Sequence, residues 1–189
     1  MEQILNELLL LSPDVIMLQE VDNEMYSVIR KRLCDWQVRR MHEAPEDHFL
    51  VTAVHAPATA ISCSSYLFRG SQNGRHLLTV KVGHWILVNV HAESGGSAGE
   101  RDRRVEQLQH MSRLYESERT VGNKSVVLAG DFNARTGEDH TILSEGWVDA
   151  WMTQSAPVES WTWRQDPFMQ RFDRVYTQAA LLDESCLGW

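Results

Sequence analysis

The sequence has no apolar run approaching the ~18 residues needed to span a bilayer; its longest candidate, Leu8 to Leu11, stops at Ser12-Pro13. No basic segment or cleavage-site pattern follows Met1, so the expectation is a soluble chain, neither membrane-bound nor secreted. Cysteine is scarce. Cys34, Cys63 and Cys186 are odd in number, widely separated and without metal-ligand spacing, which suits reduced thiols in a nuclear or cytoplasmic setting. Positive charge is also in short supply: 18 Lys and Arg against 26 Asp and Glu give a net charge of -8. That balance excludes a protein that coats nucleic acid through unspecific phosphate contacts, though not a local basic groove. The basic clusters at Arg30 to Arg32, Arg39-Arg40 and Arg101 to Arg104 read by default as solvated faces. No internal repeat, low-complexity tract or linker interrupts the chain, and residues 1–189 are read as a single domain.

What is present is a β-rich middle between helices. The pattern predicts helices over Glu2 to Leu11 and Asn23 to Cys34, with a strand over Asp14 to Gln19 between them. Strands are then expected over Phe49 to Val54, Ala60 to Phe68, His76 to Val82 and Trp85 to Ala92, read as adjacent and antiparallel. After the glycine-rich loop from Gly95 to Gly99, Val105, Leu108, Met111 and Tyr115 repeat at helical spacing up to about Glu118. Short strands are expected near Trp147, Trp161 to Trp163 and Arg171 to Tyr176. Helices on either side of many consecutive strands favour a layered α/β sandwich over a doubly wound sheet.

Three strand ends carry chemistry. Val126 to Ala129 reads as an inner strand, and Gly130-Asp131-Phe132-Asn133 is a tight turn that projects an acid and an amide together. Oxygen ligands of this kind suit a hard cation such as magnesium, which retains waters and is completed by phosphate. The same tetrapeptide is also an ordinary Asx turn. Val15 to Leu18 delivers Gln19 and Glu20 in the same manner; a helix-capping role for Glu20 is the alternative. The third strand ends at His91, followed by Glu93-Ser94, and its imidazole and hydroxyl suit phosphate oxygens. A satisfied sheet-edge histidine and a loop-capping serine are the corresponding plain readings. The other seven histidines, His48 among them, have no motif context.

Leu18-Gln19-Glu20, Val90-His-Ala-Glu-Ser94, Gly130-Asp-Phe-Asn133 and Arg171-Phe-Asp-Arg-Val175, in this order, resemble the endonuclease/exonuclease/phosphatase superfamily with its DNase I-like fold. Val148-Asp-Ala-Trp151, Thr162-Trp163 and the helix start from Glu100 to Leu108 make it most similar to the type 2 branch of 5′-tyrosyl-DNA phosphodiesterases. The resemblance implies a four-layer α/β sandwich of mixed, mainly antiparallel sheets and hydrolysis of a phosphodiester at a DNA 5′ end bearing a phosphotyrosyl adduct, a DNA-repair reaction. It further implies Mg2+, with Mn2+ as an alternative, bound by Glu20. Asp131 and Asn133 would position the attacking water, and His91 and Ser94 would hold phosphate oxygens. Asp173 would orient a catalytic histidine, Trp163 would line the DNA groove unless it merely packs, and Arg101 would reach the substrate.

Two elements of the family are not found in the sequence: a Trp-Asn upstream of Gln19-Glu20 and a Ser-Asp-His beyond Asp173. The expectation is therefore a truncated domain, its sandwich incomplete at both edges, with reduced activity. Gly96 also stands where the branch has an arginine, a place that Arg101, Arg103 or Arg104 would have to fill. Two other outcomes are compatible with these residues: a different nuclease or phosphoesterase of the superfamily, or a noncatalytic form that binds DNA or a protein.

Overall fold

A computed structural model describes residues 1–41, 47–56, 61–120, 122–153, 161–165 and 168–181. Cys186, His42 and Ala60, which the sequence reading named, lie outside the described residues; Cys34 and Cys63 are free thiols. In chain order the elements are α1 (Glu2–Leu10), β1 (Val15–Val21), α2 (Asn23–Arg32), β2 (Gln37–Arg40), β3 (Phe49–Val54), β4 (Ile61–Leu67), β5 (His76–Val82) and β6 (Trp85–His91). There follow α3 (Ala98–Thr120), β7 (Ser125–Asp131), α4 (His140–Leu143), β8 (Trp147–Asp149), α5 (Ala150–Thr153), β9 (Trp163–Gln165), β10 (Phe168–Gln170) and β11 (Asp173–Gln178). Among the described residues no helix is long and apolar enough to cross a membrane.

Six strands form one sheet in the order β4-β5-β6-β7-β11-β8, antiparallel except for the β6–β7 pair. A second sheet has the order β1-β3-β2, and β9 with β10 makes a separate two-stranded ribbon. The placement of β3 corrects the expectation that the four middle strands are neighbours. Alternation along a strand tells which side chains share a face, not which sheet the strand joins, and β2 was not anticipated at all.

Three apolar clusters define four layers. Phe49, Val51 and Ala53 on one face of β3 pack with Leu5, Ile29 and Leu33 of the α1–α2 region. Leu50 and Val54 on the opposite face meet Leu78, Val80 and Leu87 of the large sheet. That sheet turns Leu77, Ile86, Val88, Val126 and Leu128 towards Leu108, Met111 and Tyr115 of α3. The period of two along each strand thus supplies opposite interfaces from one segment. The result is the expected helix–sheet–sheet–helix sandwich.

Candidate active site

The sandwich places the carboxyl ends of β1, β6 and β7 together. On the large sheet, His91 of β6 is in register with Asp131 of β7, and Asp131 with Asp173 of β11, so the three form a row across neighbouring strands. Val90, one residue before His91, packs against the α3 side, so alternation turns His91 towards the smaller sheet. There Glu20 completes the group: His91 Nε2 lies 3.8 Å from Glu20 Oε1 and 3.8 Å from Asp131 Oδ2.

Glu20 is aimed by a defect in β1. Register with β3 shifts between Leu18 and Val21, and Glu20 adopts φ 53°, a left-handed conformation costly for a residue with a Cβ. Glu20 therefore belongs to a bulge within the strand rather than to its end. It does not cap the next helix; Asp22 does, accepting from Met25 N at 2.7 Å. The bulge is tied to the other sheet by buried Asn89, whose amide donates to Leu18 O and Val51 O and whose Oδ1 accepts from Gln19 Nε2 at 2.7 Å.

The Gly130 turn is equally constrained. Gly130 has φ 135°, and a Cβ there would run into Val90 O and crowd Gln19 Nε2. Asp131 Oδ1 then accepts from Asn133 N at 2.8 Å, while Asn133, at φ 49°, donates its side-chain amide to Ala92 O. The Asx turn foreseen as the plain reading is present, and it is also what aims both side chains.

Arg75, which had no motif to announce it, organises the phosphate side. Its guanidinium donates to His91 Nδ1 at 2.9 Å and to Ser94 Oγ at 3.1 Å, and lies 3.9 Å from Glu20 Oε1. An arginine only donates, so Nδ1 is the acceptor and the imidazole proton sits on Nε2, facing the carboxylates. Burial, with Arg75 and His76, holds the His91 pKa down at about 3, which keeps the ring neutral. Ser94 Oγ accepts from Arg75 and from Asn73 at 3.0 Å, leaving its proton to donate elsewhere. Burial pushes the Asp131 carboxyl up to about 6; the Asn133 N–H and Arg75 oppose this rise, whereas Asp173 and Glu20 reinforce it. An open cavity of about 240 Å³ lies against this group, and His48, unremarked in the sequence, lines it beside Glu20, Arg75 and His91.

Glu93 stabilises the loop that carries Arg75. Fully buried, it accepts from Ser71 Oγ, Gln72 N and Asn73 Nδ2. Arg104 is likewise buried, paired with Glu138 at 2.8 and 2.9 Å and bonded to Gly95 O. Arg101 is elsewhere: it is exposed, with Nε 4.0 Å from Glu138. The guanidinium that occupies the space above Gly96 is that of Arg135, 3.2 Å from where a Cβ would stand.

The Arg171 to Arg174 segment has divided roles. Arg171 and Arg174 flank buried Asp149, and Thr162 Oγ1 accepts from both Phe172 N and Asp173 N at 3.0 Å. This hydroxyl fixes the base of the β9–β10 ribbon, where Trp163 stays partly exposed with its ring centroid 5.5 Å from Phe172. Thr162 and Trp163 are thereby held next to Asp173.

Acids, an amide and a neutral imidazole thus meet at one rim of a two-sheet sandwich. Residues 1–187 match the Endonuclease/Exonuclease/phosphatase family, and the chain belongs to it. Its relatives include Tyrosyl-DNA phosphodiesterase 2 of Homo sapiens, 29% identical over 192 residues, covering 92% of this chain and 51% of that protein. The protein of the same name from Bos taurus is 28% identical, covering 92% of this chain and 50% of its own length. The chain thus spans about half the length of the curated relatives it matches. Among solved structures, a humanized D. rerio TDP2 superposes with a TM-score of 0.80 at 22% identity, covering 94% of this chain and 75% of that one. D. rerio TDP2 complexed with a single-strand DNA product gives a TM-score of 0.73 at 20% identity, with coverage of 94% and 75%. These likenesses establish the fold.

Proposed function

We propose that the chain acts as a magnesium-dependent phosphodiesterase releasing tyrosine from 5′ ends of DNA, in the service of DNA repair. The observation that carries this reading is the convergence of Glu20, His91 and Asp131 from three strands in two sheets, with Arg75 and Ser94 as cation and donor beside them. The names of the curated relatives support tyrosyl-linked DNA as the substrate class, and the 5′ end rests on the sequence resemblance.

The acids at this rim, Glu20 and Asp131, offer carboxylate oxygens. That fits magnesium, which takes one or two carboxylates and fills its shell with water and phosphate oxygens. The exposed Glu20 carboxylate, projected from its bulge, would hold it. When bound, the cation supplies charge stabilisation at the phosphoryl oxygens.

The protein groups perform the rest. Asp131 accepts a proton from the attacking water while Asn133 Oδ1 orients it. The new P–O bond forms as the bond to the tyrosine oxygen breaks, and the electron pair leaves with a phenolate of pKa ~10. His91, as the Nε2–H tautomer, donates to a non-bridging oxygen; Ser94 donates to another, and Arg75 neutralises developing charge. Asp173, in register beside Asp131, takes the part of orienting residue, and Trp163 offers an aromatic face to a base. Arg101 is not assigned a part, because its guanidinium faces Glu138.

The test is magnesium-dependent tyrosine release from a 5′-phosphotyrosyl oligonucleotide, with unmodified DNA and small phosphodiesters as controls. Preference for the phosphotyrosyl end supports the assignment; equal rates on all three point to a general superfamily hydrolase. Binding without turnover, unaltered in Asp131→Asn, marks a noncatalytic product.

A further inference from the structure

A second cavity, of about 320 Å³, opens between the edge strand β4 and helix α3, on the far side of Glu93 from His91. Its wall carries Arg69, Arg103 and Arg113, opposed by one acid, Glu106. Tyr66 and His110 form a stacked pair on it, with ring centroids 4.6 Å apart and planes 21° apart. Three residues that line it, Arg103, Gln107 and His110, each have a buried side-chain nitrogen without a hydrogen-bond partner, that of Arg103 lying 3.7 Å from Glu93 Oε1. Gln107 is 4% exposed and already uses its Oε1 to accept from Glu93 N at 2.8 Å, so the orphaned donor sits on a side chain locked in place. The unpartnered Gln107 amide among three arginines points to an anion with several acceptor oxygens.

We propose that this cavity is a second phosphate-binding site, taking a backbone phosphate of the same nucleic-acid strand whose 5′ end lies at His91 and Ser94. The stacked Tyr66–His110 pair, half-buried, presents an aromatic face of the sort on which a base of a single strand rests. Arg103 links the two sites physically: it donates to Gln72 Oε1 at 3.0 Å, in the loop that carries Arg75, and lies 3.7 Å from Glu93 Oε1. In a chain of net charge -8, three arginines around one cavity are a local exception that gives a strand a positive track. Phosphate binding stands on the cavity alone; the strand as its source rests on the phosphodiesterase reading above.

The test measures binding, not turnover, so a failure of hydrolysis leaves it intact. Single-stranded oligonucleotide affinity is followed by anisotropy across a salt series, for the wild-type chain and for Arg69→Ala/Arg113→Ala, both exposed positions. The His110 ring resonances are followed with the oligonucleotide and, separately, with inorganic phosphate. Expected are about a tenfold loss of strand affinity in the double variant, a salt slope shallower by about one to two, and His110 shifts with both probes that vanish in the variant. Unchanged affinity and slope together with an unmoved His110 would overturn the site. Shifts with inorganic phosphate but none with the strand would overturn the strand as its source.

Discussion

Arg75 and Asp131 set the protonation pattern of the site. Arg75 fixes His91 as a neutral Nε2–H donor, so Arg75→Ala is expected to raise the His91 pKa from about 3 towards its ordinary value of 6.5, read by NMR titration of the ring. A pKa unmoved by the substitution would show that burial alone keeps the ring neutral. Asp131 has the opposite problem: a carboxyl pushed from 3.8 to about 6 binds protons more readily in the folded chain than in the unfolded one. Its contribution to stability is therefore unfavourable above pH 6 and relieved as pH falls towards 3.8, by on the order of 2–3 kcal/mol in all. In metal-free buffer at pH 7.5, Asp131→Asn should raise Tm by several degrees, the gain shrinking as the pH is lowered to 4, and in magnesium buffer it should abolish turnover. A Tm lowered by the substitution would show that the carboxylate is a net stabiliser. Asp131 and His91 were legible because each ends an apolar strand, and Glu20 because an apolar run leads into it. Arg75 was not, because its partner His91 is brought back only by the β5–β6 pairing.

At the level of elements, two strained turns carry the reactive groups and one buried amide joins them. Asn89→Leu would leave Leu18 O, Val51 O and the Gln19 amide without partners, an expected loss of about 3 kcal/mol or more in urea unfolding. Gly130→Ala forces a Cβ against Val90 O at φ 135° and is expected to cost about 2–4 kcal/mol. A loss under 1 kcal/mol for Asn89→Leu would show that the two sheets are not coupled through this amide, and one for Gly130→Ala that the turn accommodates a Cβ. Helices α1, α2 and α3 and the longer strands were readable from periodicity and turn residues. The bulge at Glu20 was not, since a register shift is a relation to β3, which had been assigned to the wrong neighbours. The three-residue strands β8 and β9 were only roughly located and β10 was not anticipated, all being too short to show a period.

Over the whole molecule, four layers give each sheet one end of the site, so catalytic geometry depends on the packing of Leu50, Val54, Leu78, Val80 and Leu87 between them. Arg104 and Glu138 secure the adjacent loop against α3, and breaking a buried pair strands a charge. Arg104→Ala is expected to cost about 3–5 kcal/mol, measurable as a lower urea midpoint, whereas a cost near zero would mean that water replaces the guanidinium. The layer order could be foreseen from helices flanking a strand-rich middle, but the partition of strands between sheets could not. The central claim is that Glu20, His91 and Asp131 form one catalytic unit, and single-turnover tyrosine release by Glu20→Gln, Asp131→Asn and the double variant tests it most directly. A single unit predicts that each single substitution removes nearly as much rate as the pair, with the magnesium dependence lost in Glu20→Gln. Losses that simply multiply, or a Glu20→Gln variant with unchanged magnesium dependence, would contradict it.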